Sequence, residues 1–403
     1  MTFDLSCPTL PPHIAAEDDA AWEALRRQWD LPLGVVFLNH GSFGLQPRCV
    51  VEAHTRWQRE VAANPMELFV DRYEALHAVV RDRVADFVGA ARDNLVLVEN
   101  ATYGMNVVAR SFPLAAGDEV LLNDHEYGAV KRIWQRTCAR AGARLVETRL
   151  RLPIESAEQL ADALLADATD RTRLLVISHI TSPSALTLPV AEVCRRAAAR
   201  GIRTCIDGPH AVATLPLSLD ALGCDYYTAS CHKWLSGPLG TGFLYVRPEL
   251  QAQIEPPIVS WGRITPGDPE TWQEWFIWLG TRDVSSTLAL PAAIDFLEAV
   301  GLERFRARTH HVARYARARL LELSGATPIY PDSREWYGPM VAVRHPYPDA
   351  AGLRERLRHH YRIEGVVSAW QGESLIRVSC HLYTQKQDID RLVEVLQQEL
   401  GNT

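Results

Sequence analysis

Between residues 95 and 246 the chain repeats one pattern of polarity: a short apolar run, a polar cluster, then often a longer stretch with apolar positions at helical spacing. Runs of strand length occur at "LVLVE" 95–99, "EVLLN" 119–123, "RLVETRL" 144–150, "LLVISH" 174–179, "RTCID" 203–207, "DYYTAS" 225–230 and "GFLYV" 242–246. Two intervening stretches, "AEQLADALLADA" 157–168 and "PVAEVCRRAAARG" 189–201, predict helices, the second opened by Pro189 and closed by Gly201. Strand–helix–strand repetition predicts an α/β fold with a mostly parallel seven-stranded sheet covered on both faces. From Ala292 onward "AIDFLEAVGLERFRARTHHVARYARARLLEL" reads as long amphipathic helix with a break at Gly301. Strands at "MVAVRH" 340–345 and "SLIRVS" 374–379, with a closing helix "DIDRLVEVLQQEL", predict a smaller C-terminal α/β domain. The expected division is an N-terminal segment 1–35 packing with the small domain, a large domain 36–291 and a small domain 292–403.

A chain of 403 residues exceeds one average domain, which agrees with that division. Net charge is −7 with no block of five or six like charges, so neither a nucleic-acid surface nor a polybasic membrane anchor is expected. The expected partner is a small molecule. The opening "MTFDLSCPTLPPHIAAEDDA" lacks a basic and then apolar leader, and no run of eighteen apolar residues occurs; a cytoplasmic protein is expected. Its eight cysteines, at 7, 49, 138, 194, 205, 224, 231 and 380, show no CxxC or zinc-type spacing, which suits reduced, buried thiols and implies no metal. The pairs His310-His311 and His359-His360 lie in arginine-rich helical stretches and read as solvated faces, not ligands.

In open parallel sheets the ligand sits beyond the carboxyl ends of the strands. The residues there form a coherent set: Asn100-Ala101-Thr102, Asp124 to Tyr127, His179 to Ser182, Asp207 to His210, and Ser230-Cys231-His232-Lys233. One polar residue at a strand end is ordinarily a turn or cap; five successive clusters point to an active site. Lys233 is not a P-loop lysine, because it precedes Gly237, Gly240 and Gly242 instead of following them. A dinucleotide fingerprint also fails, since these glycines lead into the strand "GFLYV" and not into a helix.

The chain resembles pyridoxal-phosphate (PLP) enzymes of the class V aminotransferase family, fold type I, and within them an isopenicillin N epimerase-like branch. The similar stretches are "FLNHGSFGLQP" 37–47, "ANPMELFVDR" 63–72, "SHITSPSALTLPV" 178–190, "IDGPHA" 206–211, "SCHKW" 230–234 and "WLGTRDVSS" 278–286. The pairing of "DGPHA" with "SCHKW" is specific to the family, while "LNHGSFG" and "TSPSALTLP" pick out the branch.

The resemblance implies roles. Lys233 takes the cofactor aldehyde and must be available as a neutral amine, its pKa lowered by desolvation and nearby positive charge. Asp207 is the carboxylate that keeps the pyridine nitrogen protonated. At about 4 Å and an effective dielectric of roughly 20 such a pair gains about 4 kcal/mol before desolvation is counted. Asn100, Ala101 and Thr102, turning from a strand into a helix, supply donors and a helix N-terminus for the phosphate, with Ser230 and His232 donating to the same group. His210 lies near the cofactor's ring oxygen or its lysine linkage, and Ser182 belongs to the same cofactor site. Tyr127 stacks on the ring where many relatives carry histidine; a phenol titrates at about 10 and an imidazole at about 6.5, so proton transfer on that face differs from an imidazole shuttle, and inversion at Cα calls for a second donor there, for which Tyr127 or His125 is the candidate. Arg377 clamps the substrate carboxylate, Asn39 and His40 border the substrate, and Thr281 donates to the neighbouring subunit's phosphate, implying a homodimer with shared sites.

The reactions this arrangement supports begin with removal of the α-proton of an amino acid by Lys233. Cysteine desulfurases of the family attack sulfur with a loop cysteine just before the carboxylate arginine; here 362–377, "RIEGVVSAWQGESLIR", has none, and Cys380 follows Arg377. The leading expectation is an amino-acid epimerase or racemase. Alternatives are a C–S lyase acting on a cysteine conjugate or sulfoxide, an aminotransferase, and a non-catalytic binding protein.

Overall fold

The structure, a computed structural model, describes residues 14–264, 267–347, 349–370 and 372–401. Cys7 and the first thirteen residues of the N-terminal segment lie outside them. In chain order the first half comprises α1 (Asp19–Arg26), β1 (Val36–Phe37), α2 (Arg48–Ala63), α3 (Tyr73–Val88), β2 (Leu95–Val98), α4 (Ala101–Ser111), β3 (Glu119–Asn123), α5 (Gly128–Ala141), β4 (Arg144–Thr148), α6 (Ala157–Leu164) and β5 (Thr172–Ser178). There follow α7 (Val190–Ala199), β6 (Arg203–Asp207), α8 (Leu219–Leu222), β7 (Tyr226–Ser230), β8 (Gly242–Val246), α9 (Ser285–Leu288), α10 (Leu290–Val300) and α11 (Leu302–Ser324). The chain closes with β9 (Met340–His345), α12 (Ala350–His359), β10 (Ile363–Glu364), β11 (Val366–Trp370), β12 (Glu373–Ser379) and α13 (Lys386–Gly401).

Seven strands form one sheet in the order β2-β8-β7-β6-β5-β3-β4. Only β8 runs against its neighbours; β7, β6, β5, β3 and β4 are mutually parallel. Alternation divides each strand between two cores. Leu174, Val176, Cys205 and Tyr226 face the side holding Met105 of α4 and Trp134 of α5. Leu175, Ile177, Ile206 and Tyr227 face the larger core, which continues into the C-terminal region. Because both faces are covered, these strands read in the sequence as continuous apolar runs.

The C-terminal region adds an antiparallel sheet in the order β11-β12-β9, and β1 pairs with β10 in a parallel two-residue ladder. Strand β11 and the β1–β10 ladder are absent from the sequence reading. Gly301 ends α10 with φ +87° and starts α11, the break that its position in the sequence predicts. Helix α1 is tied to α11 and α13: Arg308 Nη1 donates to Asp19 Oδ1 (2.6 Å) and Arg26 Nη1 to Asp388 Oδ2 (2.8 Å). That contact corrects the reading of α11 as carrying a solvated basic face. Arg308 is only 1% exposed. His310 and His311 are half-buried, the ring of His310 lying 4.7 Å from Tyr337. His359 and His360 are exposed, as expected. The seven described cysteines are buried and form no disulfide with one another, and no group of metal-ligating side chains occurs among the described residues. No single described helix is long and apolar enough to cross a membrane.

Candidate active site

The carboxyl ends of β2, β3, β5, β6 and β7 converge on a pocket of about 500 Å³. Asn100, Ala101, Thr102, Tyr127, Ser182, Asp207, His210, Ser230, His232, Lys233 and Arg377 all line it.

At one end stands the N-terminus of α4. Asn100 caps it by accepting the Tyr103 N–H at 2.9 Å, and the Ala101 N–H donates to Ser230 Oγ at 2.9 Å. Ser230 therefore accepts from the helix and keeps its own O–H to donate. The helix reaches this position because Gly104 lies flat on β7; a Cβ there would sit 2.1 Å from Thr228 Oγ1. His232, held neutral because burial above all lowers its pKa to about 4, has a buried Nδ1 without a partner among the described residues. A helix N-terminus, two hydroxyls and an unpaired imidazole nitrogen make a phosphate-sized set of donors and dipoles.

Asp207 ends β6 and is 5% exposed, with no hydrogen-bond donor or cation within ion-pair distance of its carboxylate among the described residues. Burial raises its pKa and the Lys233 charge opposes that shift. A buried, unpartnered carboxylate is costly unless a cation meets it, so the residues present fit a protonated ring nitrogen. Behind it lies a second carboxylate, Glu126, which accepts Ser178 N–H (2.7 Å), Ser178 Oγ–H (2.8 Å) and Asn123 Nδ2–H (2.8 Å). Burial, with the Asp207 charge adding to it, pushes Glu126 up to about 7.

Lys233 is half-buried in the pocket wall, its amine 3.2 Å from His210 Nε2. Trp234 Nε1 can only donate, and it does so to His210 Nδ1 at 3.2 Å. Burial keeps His210 neutral, and because Nδ1 accepts from Trp234 its proton sits on Nε2 and points at the Lys233 amine. Only a neutral amine accepts it. Burial lowers the lysine's pKa, Asp207 opposes this and Arg377 adds to it, the direction this contact requires.

Arg377, on β12, is 5% exposed. Its Nη1 donates to Ser182 O (2.6 Å) and Ser182 Oγ (2.9 Å), its Nη2 to Ser42 Oγ (2.9 Å), and its buried Nε has no partner. Burial lowers its pKa to about 10, which leaves it charged at neutral pH, yet no described carboxylate pairs with it. A buried cation facing a pocket without its own acid is a carboxylate site.

Three expected residues stand elsewhere. His40 is fully buried behind the lysine turn and does not border the pocket: its Nε2 meets Lys233 O (3.0 Å), its Nδ1 meets Tyr383 Oη (2.8 Å), and its ring stacks on His381 at 3.9 Å. A lysine carbonyl can only accept, so His40 carries its proton on Nε2. Asn39 lies behind Arg377, 3.4 Å from Nη2, and Thr281 is exposed and away from the pocket lining. Pocket contact is made instead by Gly41, Ser42 and Phe43 of the same "NHGSFG" segment, by Ser178, and through Trp234 by the orientation of His210. Gly44 offered a signal: a Cβ there would lie 2.3 Å from Lys233 O, so the segment's glycines mark a close approach to the lysine turn.

A parallel sheet bearing at its strand ends an enclosed lysine, an unpartnered carboxylate and a helix N-terminus defines the class of fold type I pyridoxal-phosphate enzymes. The chain belongs to the aminotransferase class-V family, which it matches over residues 36–392. It is 39% identical to the isopenicillin N epimerase of Streptomyces clavuligerus over 94% of this chain and 98% of that protein, and 37% identical to that of Amycolatopsis lactamdurans over the same shares. It is 34% identical to a putative L-cysteine desulfhydrase of Oryza sativa over 69% of this chain and 60% of that protein. Among solved structures it superposes on a C-DES variant with glycine covalently linked to its PLP cofactor, with TM-score 0.81 and 24% identity over 92% of this chain and 98% of that one. That likeness concerns the fold alone.

Proposed function

We propose that the protein epimerises an amino-acid centre at Cα, in a substrate of the isopenicillin N type. The observation that carries this reading is the identity of 37–39% to two isopenicillin N epimerases across 98% of their length. PLP bound here supplies an electron sink for the pair left at Cα when the proton departs. The remaining work falls to side chains. Arg377 holds the substrate carboxylate and so sets which Cα bond faces Lys233. The neutral Lys233 amine takes the proton. Asp207 would keep the ring nitrogen charged, while Ser230, His232, Thr102 and Asn100 would hold the phosphate at the N-terminus of α4. His210 presents its Nε2–H beside the lysine. Tyr127, half exposed on the pocket wall, would cover the bound cofactor and supply a phenol proton to the face of Cα that Lys233 does not serve. We further propose a cytoplasmic homodimer in which the exposed Thr281 serves the neighbouring phosphate.

Desulfuration by an attacking thiol has little support. Cys380 is wholly buried and burial pushes its thiol far up, while the described residues of 362–377 carry no cysteine. A C–S lyase acting by β-elimination is the second reading, favoured by the rice relative. Incubation with single diastereomers of isopenicillin N-type compounds and with cysteine conjugates separates the two: the opposite diastereomer supports epimerisation, keto acid with ammonia supports the lyase.

Arg377→Ala should weaken amino-acid binding by roughly 2–5 kcal/mol with cofactor occupancy retained, as for loss of a buried charge partner. Equal affinity of the wild type for an amino acid and its decarboxylated amine would contradict the clamp.

A further inference from the structure

Helices α4 and α5 both start at the cofactor pocket, with Asn100 and Tyr127 at their caps, and both continue to a second concavity. This groove measures about 790 Å³ against 500 Å³ for the cofactor pocket and shares no lining residue with it. Phe112, Leu114 and Ile133 make part of its lining apolar. Around them stand four guanidinium groups, Arg110 from α4 and Arg132, Arg136 and Arg140 from α5.

Arg110 has an acid, Glu255, at 3.6 Å. The three arginines of α5 are exposed and take part in no ion pair among the described residues, although Lys131 on the same helix pairs with Glu147 at 3.1 Å. They follow one another at intervals of four residues, so they share one face, and like charges at that spacing repel and weaken a helix. The helix "GAVKRIWQRTCARA" contains no acidic residue to relieve this. On α7, by contrast, the neighbouring Arg195 and Arg196 share Glu192. A stripe of unpaired guanidiniums over an apolar cleft, in a volume typical of small-molecule sites, calls for an anionic occupant. Guanidinium forks match phosphate oxygens in pairs, and the apolar residues suit a flat ring.

We propose that this groove binds a small polyanion with a flat apolar body, of the chemical type of a nucleoside di- or triphosphate, independently of the amino-acid site. The test is a titration of the holoenzyme, whose phosphate cradle is already filled, with the fluorescent N-methylanthraniloyl derivative of ATP at an ionic strength of about 0.1 M. Anisotropy should show saturable binding, displaced by unlabelled ATP. Arg136→Ala should weaken it on the order of tenfold, and the combined Arg132→Ala, Arg136→Ala and Arg140→Ala variant on the order of a hundredfold or more. Alanine is the best helix former, so α5 should persist, and unchanged circular dichroism and cofactor absorption would show it. Absence of saturation below millimolar probe, or equal affinity in the triple variant, overturns the proposal. So does displacement by a glutamate-rich peptide but not by ATP, which would make the groove a protein-docking surface.

Discussion

Lys233→Ala is expected to abolish turnover, by on the order of a millionfold, the scale seen when a covalent catalytic group is removed. The amine has two roles in the account, attachment of the cofactor and removal of the α-proton, and no neighbour can assume either. His210 is the nearest group, 3.2 Å away, but it is kept neutral and turns its N–H toward the amine, so it offers no lone pair there. The fold should survive, since among the described residues the lysine amine makes its hydrogen-bond contact with that histidine alone and the turn is held by main-chain bonds such as Gly44 N–H to His232 O at 3.0 Å. The absorption of the lysine-linked cofactor should vanish, and borohydride should no longer fix the cofactor to the protein. An unchanged band in the variant contradicts the assignment.

Asp207→Asn should slow turnover about a hundred- to a thousandfold, the loss of roughly 3–4 kcal/mol of preorganised electrostatic stabilisation. The asparagine keeps the shape of the site and the sheet position opposite Ser178, but not the charge that holds the ring proton. Cofactor retention should fall only modestly, because the phosphate donors at α4, Ser230 and His232 are untouched. Parallel measurement of rate and occupancy separates the two effects. Near-normal turnover with full occupancy would remove Asp207 from the mechanism.

Six of the seven sheet strands are readable in the sequence because they are buried on both faces, so hydrophobicity marks them: all five residues of β3, β7 and β8 are buried, whereas the edge strand β4 buries only Thr148. Strand β11 is not, since only Val367 of its five residues is buried and its apolar signal is correspondingly weak. The ladder of β1 with β10 joins residues more than three hundred positions apart and has no local signature. Site residues at the strand ends follow from the same topology. His40 does not: a motif places it next to the pocket in sequence, but whether it faces substrate or the back of the lysine turn depends on Tyr383 and His381, which arrive from the other end of the chain. Arg308 is likewise buried through a helix remote in sequence, α1.

The central claim is that Cα loses a proton to Lys233 and regains one from the opposite face. It is tested most directly by running the wild type and Tyr127→Phe in deuterated water on an isopenicillin N-type substrate and following deuterium content and configuration together. The wild type should return the same compound with deuterium at Cα and mixed configuration, and Tyr127→Phe should suppress inversion more than exchange. Deuterium entry without inversion in the wild type for every substrate, with keto acid accumulating from cysteine conjugates, would contradict epimerisation and establish the lyase in its place.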